Sequence, residues 1–347
     1  MVVSGDDYCA GYIMTIRDSI IRVVGRHNLS EDEAAAAMND IMSGVATPAQ
    51  IAAFLTALHF KGETAAEIAG MARVMREHAL YVDVTPGAVD TCGTGGDGAG
   101  TFNISTIAAF VAAGAGVTIA KHGNRAMSSR CGSADVLEGL GVNIELEPEA
   151  VARHINTNNF GFMFAPRFHP AMRFAGPVRR EIGIRTAFNL LGPLTNPARV
   201  TRQVIGTANE TLAEKLANAL SLLNMEHVIV YTGYGNIDEL SLAGTNVYYV
   251  VRGNLPPRRF EIDAVAVGLN RADNSALAGG DLVENVQIAR NILTDKGLPA
   301  QQDVVLLNAA AAIIVADKAD DWQSAIEMAR HSIASGAAFA RLKQATL

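Results

Sequence analysis

The chain is poor in cysteine, in basic charge and in long apolar runs. Three cysteines among 347 residues (Cys9, Cys92 and Cys131) build no disulfide framework and match no zinc spacing, which predicts a reducing, cytoplasmic environment. Lys and Arg number 28 against 35 Asp and Glu, and this acidic balance argues against a protein that coats nucleic acid. The longest apolar run, 107–120, is short and broken by glycine, so we expect no membrane span. The N-terminus lacks the basic start of a signal peptide.

Apolar residues, in contrast, make up 49% of the chain and charged residues only 18%, which is typical of a folded globular protein. The length predicts about two domains. Ser30, Thr47 and Thr64 are each followed three residues later by Glu or Gln, the pattern of a capping box that begins a helix. We therefore expect four helices between residues 15 and 80, and a small helical domain over 1–82.

Residues 83–347 show a different pattern, because short apolar segments alternate with helical ones. Such alternation indicates a mostly parallel central sheet with crossover helices, and hence an α/β fold. The helix expected over 170–183 is rich in arginine, and we predict that helices near 168–184 join the small helical domain. The expected strands are 88–92, 117–120, 161–164, 203–205 and 227–231; the expected helices are 106–114, 134–140, 149–158, 210–222, 303–317 and 321–335.

A glycine-rich segment, 93–100, follows the first expected strand and precedes a helix. Glycines in such a turn allow backbone N–H groups to approach a phosphate. Gly93, Gly95 and Gly98 also fit the dinucleotide pattern, but no Asp or Glu occurs between Asp97 and Asp135 to hold a ribose. The segment is therefore either a phosphate-binding loop or an ordinary strand-to-helix turn.

The acid-free segment that follows is rich in hydrogen-bond donors. It contains Lys121, His122, Arg125 and Arg130. Singly, each of these cations is best interpreted as an ordinary surface charge. Together, and next to a glycine loop, they favour the binding of a ligand with several phosphate groups.

Two further charge patterns point to a site. Five arginines lie between 167 and 185 with a single acid, Glu181, and the guanidinium fork suits a carboxylate or phosphate. We expect one of these arginines to face a ligand and the others to form a solvated basic surface. Asp238 and Glu239 follow an expected strand. An isolated pair of this kind is commonly a surface feature, but beside a phosphate site it suggests magnesium.

Together these motifs resemble the anthranilate phosphoribosyltransferases of tryptophan biosynthesis, over nearly the whole chain. The resemblance implies a small helical domain used for dimerisation and a larger α/β domain, with phosphoribosyl pyrophosphate (PRPP) and magnesium bound between them. The matching segments are Gly93-Thr94-Gly95-Gly96-Asp97, Asn103-Ile104-Ser105-Thr106, Lys121-His122-Gly123-Asn124-Arg125, Gly132-Ser133-Ala134-Asp135, Phe164-Ala165-Pro166, His169-Pro170-Ala171-Met172, Pro177-Val178-Arg179-Arg180-Glu181, 188–197 and Asp238-Glu239-Leu240-Ser241.

Carried over by position, the resemblance also implies individual roles. Catalysis would depend on Lys121, Asp238 and Glu239, and two magnesium ions per subunit would be held by Ser105, Asp238 and Glu239. PRPP would be bound by Gly93, Gly95, Gly96, Asp97, Thr101, Asn103, Ser105, Thr106, Lys121, Ser129 and Gly132. Anthranilate would be bound by Gly93, His122, Asn124, Pro166, His169 and Arg179. The chain departs from the family at Cys131, where serine is common, at Ala187, where isoleucine is usual, and at Thr294-Asp295, where glycine is common.

The expected reaction is transfer of the phosphoribosyl group of PRPP to the amine of anthranilate, by a cytoplasmic homodimer that binds neither nucleic acid nor membrane. One alternative is an enzyme like the pyrimidine nucleoside phosphorylases, which usually carry Lys-Met-Ser-Gly-Arg where this chain has Lys121 to Arg125. The other is a non-catalytic homologue that binds nucleic acid through a basic groove. The acidic charge and the retained Asp238–Glu239 pair argue against both.

Overall fold

A computed structural model describes residues 14–126 and 130–346, and the chain divides into two compact units. Unit 1 comprises the chain up to His78 together with Ala171–Leu191, and unit 2 comprises Ala79–Pro170 and Gly192–Leu347. The expected fold class, a small helical domain and a larger α/β domain, is confirmed. Within the described ranges, no helix has both the length and the apolar character needed to cross a bilayer.

Unit 1 is helical, and its first helices begin where the sequence predicts. Ser30, Thr47 and Thr64 each accept a hydrogen bond from the backbone N–H three residues on, while the Glu or Gln there reaches back to the cap, so each forms a complete capping box. Its helices are α1 (Ile16–Val24), α2 (Glu31–Met42), α3 (Pro48–Lys61), α4 (Ala65–Glu77), α9 (Met172–Ile182) and α10 (Phe188–Leu191).

The helices of unit 1 bury apolar faces against one another. Helix α2 packs on α4, α1 packs on α3, and the arginine-rich helix α9 contacts both α2 and α3. Met38, Ile41, Phe54 and Leu55 are fully buried in this way. Burial of an apolar side chain contributes about 1.5–3 kcal/mol to stability at each such position. This contribution stabilises helices that would be marginal in isolation.

Unit 2 is built on a seven-stranded sheet in the order β3-β2-β1-β4-β5-β6-β7. The strands are β1 (Val89–Gly93), β2 (Ile119–Gly123), β3 (Phe160–Phe164), β4 (Arg202–Gly206), β5 (His227–Thr232), β6 (Asn246–Val251) and β7 (Arg258–Ile262). The helices are α5 (Ile104–Gly114), α6 (Ser133–Gly139), α7 (Pro148–Asn158), α8 (Ala165–Phe168), α11 (Glu210–Leu222), α12 (Leu282–Leu293), α13 (Pro299–Val315), α14 (Trp322–Ala334) and α15 (Ala337–Ala345), with 3-10 turns at Gly192–Leu194, Val265–Val267 and Asn274–Leu277.

The parallel part of the sheet reverses its order at β1. Strands β1 to β5 are parallel and all five predicted strands are present, whereas β6 and β7 are antiparallel additions that the sequence analysis did not predict. Since β1 lies between β2 and β4, the crossovers on its two sides run in opposite directions. In open α/β sheets, a ligand binds at the carboxyl ends of the strands at such a switch point. Gly93 and Gly206, paired in register, lie at that edge.

The core of unit 2 contains two strongly apolar helices, α5 and α13, which pack against each other. Nearly all of α13 is buried, including a polar residue, Asn308. Both helices also pack on the sheet, α5 against β1 and α13 against β4.

Candidate active site

The glycine loop after β1 contacts Asp238 directly. The N–H of Gly95 donates to Asp238 Oδ2 at 2.8 Å, and the N–H of Asp238 donates to Asp97 Oδ2 at 3.3 Å. A Cβ on Gly93 would collide with the Asp238 carboxylate, and one on Gly206 with the Asp238 main chain. Glycine at both strand ends therefore permits this close approach.

The loop itself holds a conformation that favours glycine. Gly95, Gly96 and Gly98 have φ values of +64°, +76° and +73°. A Cβ at Gly95 or Gly98 would meet no atom of the described residues within 4 Å. The loop ends at Thr101, which pairs with Ala278 in an isolated antiparallel bridge. Its backbone therefore borders open space at the switch point.

Helix α5 begins beside the same carboxylates. The N–H of Ser105, in the first turn, donates to Glu239 Oε1 at 3.2 Å. In the glycine loop and at this helix start, the buried oxygens Thr94 Oγ1, Asn103 Oδ1 and Thr106 Oγ1 have no hydrogen-bond partner among the described residues. The two hydroxyls are able to donate to an anion, and a helix N-terminus favours negative charge.

The carboxylates lie in an environment that is short of positive charge. Burial, together with the nearby Asp97, raises the pKa of Asp238 to about 6. Burial and the Asp238 charge raise the pKa of Glu239 well above its usual range, and Lys121 opposes this only in part. Clustered buried acids of this kind are stabilised in the charged form by a bound cation.

Lys121 lies on β2 and is buried rather than exposed to the open loop. Its Nζ donates to the main-chain oxygen of Thr91 and lies 3.4 Å from Thr91 Oγ1. Neighbouring Asp90 accepts from the N–H of His122 at 3.1 Å and from Gln203 Nε2 at 3.2 Å. Burial lowers the pKa of Lys121 and raises the pKa of Asp90, and the charge of each opposes the shift of the other.

The segment after β2 is held to the start of α6. Asn124 is exposed, and its Oδ1 accepts from the N–H of Arg125 at 2.8 Å. Arg125 is engaged by two carboxylates of α6 at 2.8 and 2.9 Å. One of these acids, Asp135, also accepts from the N–H of Gly132 at 2.8 Å. Ser129 lies outside the described residues.

His122 and His169 form a buried imidazole pair. Their Nε2 atoms lie 3.2 Å apart, so one nitrogen donates and the other accepts. Burial lowers the pKa of His169 to about 4 and that of His122 well below its usual range. Both rings are therefore neutral near pH 7. Pro166 lies on the surface, three residues before His169.

Arg179 differs from the other arginines between 167 and 185. It lies on α9 in unit 1, half-buried, with its guanidinium 5.0 Å from the centre of the Phe188 ring. Within the described residues it makes no ion pair with a carboxylate. Burial lowers its pKa. The other four are Arg173, Arg180 and Arg185, which are exposed, and Arg167, which pairs with Glu145 and Glu147.

The predicted metal ligands Ser105, Asp238 and Glu239 are close neighbours, as the contacts above show. In residues 14–126 and 130–346, no three or more His, Cys, Asp and Glu side chains form a group arranged to hold a metal. Magnesium typically takes one or two protein carboxylates and completes its shell with phosphate oxygens and water. The donor set at Asp238 and Glu239 fits an ion of this kind.

Sequence reasoning missed two buried residues behind the carboxylates. The hydroxyl of Tyr231 lies 3.4 Å from Glu239 Oε2 and 3.1 Å from Asn308 Oδ1. Asn308 lies within the helix expected over 303–317, and nothing in its spacing predicts a role in the site. Its signal in the sequence is a single amide within a long apolar segment.

Comparison with known proteins agrees with this architecture. Residues 17–79 match the glycosyl transferase family, helical bundle domain, and residues 85–339 match the glycosyl transferase family, a/b domain. These matches define the class of the protein: a two-domain glycosyl transferase with its candidate site at the edge of the α/β sheet.

Relatives narrow the class further. The chain is 61% identical, over 95% of its length and 97% of the relative's, to the anthranilate phosphoribosyltransferase of Roseiflexus sp.. The structure of the enzyme of that name from Thermus thermophilus superposes with a TM-score of 0.89 and 42% identity, covering 95% of this chain and 98% of that one. The Saccharomyces cerevisiae enzyme in complex with PRPP and Mg gives a TM-score of 0.86 at 28% identity, covering 95% and 96%. The chain therefore belongs to the anthranilate phosphoribosyltransferases. These findings support the transferase interpretation over the phosphorylase and nucleic-acid-binding alternatives.

Proposed function

We infer that this chain transfers the phosphoribosyl group of PRPP to the amine of anthranilate, giving N-(5-phosphoribosyl)anthranilate and pyrophosphate. One observation carries the inference: the glycine loop, the start of α5 and the Asp238–Glu239 pair meet at the switch point of the sheet. Donors and buried acids brought together in this way suit a diphosphate and its cation.

We propose that the diphosphate and ribose of PRPP are bound along the loop and the first turn of α5. The positive φ angles of the loop and the unpartnered hydroxyls of Thr94 and Thr106 support this placement. Lys121 would act as a fixed charge within the sheet. The proposed PRPP-binding residues are Gly93, Gly95, Gly96, Asp97, Thr101, Asn103, Ser105, Thr106, Lys121, Ser129 and Gly132.

We propose that Ser105, Asp238 and Glu239 hold magnesium, with two ions per subunit. The raised pKa values of both carboxyls support this role, because a cation would offset the cost of burying them ionised. Magnesium, when bound, neutralises part of the negative charge of the departing diphosphate.

Anthranilate would be bound by Gly93, His122, Asn124, Pro166, His169 and Arg179. The half-buried guanidinium of Arg179 suits the carboxylate of the substrate. The neutral histidine pair presents aromatic rings and one fixed hydrogen-bond direction.

The chemistry would need positioning and electrostatics rather than a protein nucleophile. The amine nitrogen forms a bond to C1 of the ribose, the bond from C1 to the diphosphate oxygen breaks, and the nitrogen releases a proton. The hydroxyls of Thr94 and Thr106, which have no partner among the described residues, and the dipole of α5 would stabilise the charge that develops on the leaving diphosphate.

We further propose that the enzyme is a cytoplasmic homodimer formed through the helical domain. Ile21 and Val24 on α1 and Phe60 on α3 support the dimer, because these apolar side chains are exposed in unit 1. The low cysteine content supports the compartment.

The decisive experiment is a fluorescence assay of anthranilate loss with PRPP and magnesium. We expect turnover by the wild type, and none after removal of magnesium by a chelator or in an Asp238→Ala/Glu239→Ala double variant. A parallel reaction with a pyrimidine nucleoside and phosphate should give no free base. Folded protein that leaves anthranilate unchanged, or that cleaves the nucleoside, would contradict the proposal.

A further inference from the structure

Asn308 lies in the middle of α13, 4% exposed, directly behind the acidic pair. Its Oδ1 accepts from the N–H of Leu240 at 3.0 Å, and its Nδ2 donates to the carbonyl of Leu240 at 3.0 Å and to that of Val304 at 2.9 Å. The side chain therefore pairs with both main-chain groups of Leu240, much as a neighbouring strand would.

The orientation of this amide follows from its partners. A main-chain N–H only donates and a carbonyl only accepts, so Oδ1 must face the N–H of Leu240 and Nδ2 its carbonyl. The Tyr231 hydroxyl, 3.1 Å away, is the second donor available to Oδ1. All hydrogen-bonding groups of the Asn308 side chain are engaged, and a rotated amide would lose its three bonds to the main chain. The contact with Tyr231 does not fix the orientation, because a hydroxyl is able to donate or accept.

Two routes connect Asn308 to Glu239. In the first, Asn308 holds the N–H and the carbonyl of Leu240, and Leu240 is bonded directly to Glu239 in the chain. The second passes through Tyr231, whose hydroxyl lies 3.1 Å from Asn308 Oδ1 and 3.4 Å from Glu239 Oε2 and donates its single proton to one of them at a time. A residue that only stabilised α13 would need neither the contact with Leu240 nor the contact with Tyr231.

We propose that Asn308 is a positioning residue that orients Glu239 toward the bound cation, an inference that rests on the proposed function of Asp238 and Glu239. Without the amide, the N–H and carbonyl of Leu240 would lose a buried partner, and the loop carrying the acids would relax. Partners that orient metal ligands from behind commonly change metal affinity by about 10–100-fold when removed.

The test measures cation binding separately from turnover. Mn²⁺ is titrated into the full chain with PRPP, and the electron paramagnetic resonance signal of free Mn²⁺ reports binding, while thermal unfolding reports stability. The variants are Asn308→Ala and Tyr231→Phe. The matched control is Ser332→Ala, because the buried Ser332 also donates from a helix to a main-chain carbonyl, that of Val111 at 2.7 Å.

We expect Asn308→Ala to weaken Mn²⁺ binding about tenfold and Tyr231→Phe about threefold. Ser332→Ala should lower the unfolding temperature and leave Mn²⁺ binding unchanged. Wild-type Mn²⁺ affinity in folded Asn308→Ala would overturn the inference. If Asn308→Ala does not fold, Asn308→Ser, which loses the pairing with Leu240, takes its place, and wild-type affinity in that variant overturns the inference. Wild-type affinity in Tyr231→Phe would contradict the route through Tyr231. Absence of Mn²⁺ binding by the wild-type protein would instead contradict the proposed function.

Discussion

At the scale of single residues, the site depends on side chains whose surroundings disfavour their charge. Glu239 is buried, Asp238 is half-buried beside Asp97, and the buried Lys121 interacts electrostatically with Glu239. Such an arrangement costs stability in the absence of ligand, and proteins retain it where charge is needed for binding or catalysis.

Arg179 is the residue for which substitution distinguishes the two substrates. Replacement of Arg179 by Ala should raise the KM for anthranilate about thirtyfold or more and change the KM for PRPP much less, because loss of a partner from a buried charge pair costs about 2–5 kcal/mol. Steady-state kinetics with each substrate varied in turn measures this split.

The matched control is Arg173→Ala on the same helix. Arg173 is exposed and also lies over a phenylalanine ring, at 4.7 Å from its centre. The Arg173→Ala variant should leave the KM values for anthranilate and PRPP unchanged. Equal rises in the two KM values for Arg179→Ala would argue against contact with the anthranilate carboxylate.

The histidine pair predicts how stability depends on pH. The fold lowers the pKa of His169 from 6.5 to about 4 through burial, so between these values the unfolded chain binds more protons. The stability from the neutral ring is therefore complete above about pH 6.5 and is lost as the pH falls toward 4. At pH 5 the loss is about 2 kcal/mol, since one pKa unit corresponds to about 1.4 kcal/mol.

Urea unfolding at pH 7.5 and pH 5 measures this loss. In His169→Gln the difference between the two pH values should shrink by about 2 kcal/mol, because the titrating ring is gone. His331→Gln, which removes an exposed histidine of α14, should behave as the wild type. An unchanged difference in His169→Gln would show that the ring does not control acid stability.

The contacts between site residues are the part of the site that the sequence alone does not predict. Spacing alone indicated a glycine loop and an acidic pair, but it contained no sign that Gly95 and Asp238 touch. That contact depends on two glycines, Gly93 and Gly206, at neighbouring strand ends. Only the family resemblance joined the two motifs before the structure did.

At the scale of elements, local signals predicted best. The three capping boxes and the five parallel strands were predicted because each depends on residues close in sequence. The two antiparallel strands were missed. Strand β7 is a largely exposed edge with charged residues, so its sequence resembles a surface loop rather than a buried strand.

The end of α12 tests how a departure from the family affects an element. Thr294 ends the helix and Asp295 follows with φ +59°, where the N–H of Asp295 donates to Ile292 and that of Lys296 to Asn291. This is a Schellman motif, in which glycine is preferred after the cap. Asp295 also places negative charge at the negative end of the helix dipole.

Asp295→Gly should therefore raise the stability by about 0.5–1 kcal/mol, and the unfolding temperature by about 1 °C. The control is Thr294→Gly, one position earlier, where φ is −106°. This variant should lower the stability by about 0.5–1 kcal/mol. Differential scanning calorimetry of both variants measures the contrast. Equal destabilisation by the two glycines would contradict the role given to the left-handed position.

At the scale of the whole molecule, both units leave apolar side chains exposed, and in unit 1 three of these lie on the packed helices α1 and α3. Unit 2 encloses its apolar helices α5 and α13. Unit 1 exposes Ile21 and Val24 on one face of α1, and the Arg26 guanidinium lies 5.2 Å from the ring of Phe60 on the adjoining α3. Because α1 and α3 pack on each other, a second copy of the chain is the proposed partner of these exposed side chains.

Substitution at this surface should separate the subunits without unfolding them. Phe60 is 75% exposed, so Phe60→Glu removes little packing within the unit but would bury a charge in the dimer. The dimer dissociation constant should rise about thirtyfold or more, equivalent to about 2 kcal/mol at a central contact. Sedimentation equilibrium measures this dissociation constant. The matched control is Val283→Glu on α12 of unit 2, where the residue is 76% exposed, and it should leave the constant unchanged. If both variants sediment as the wild type does, the dimer must form through another surface. A monomeric wild type would contradict the proposed dimer.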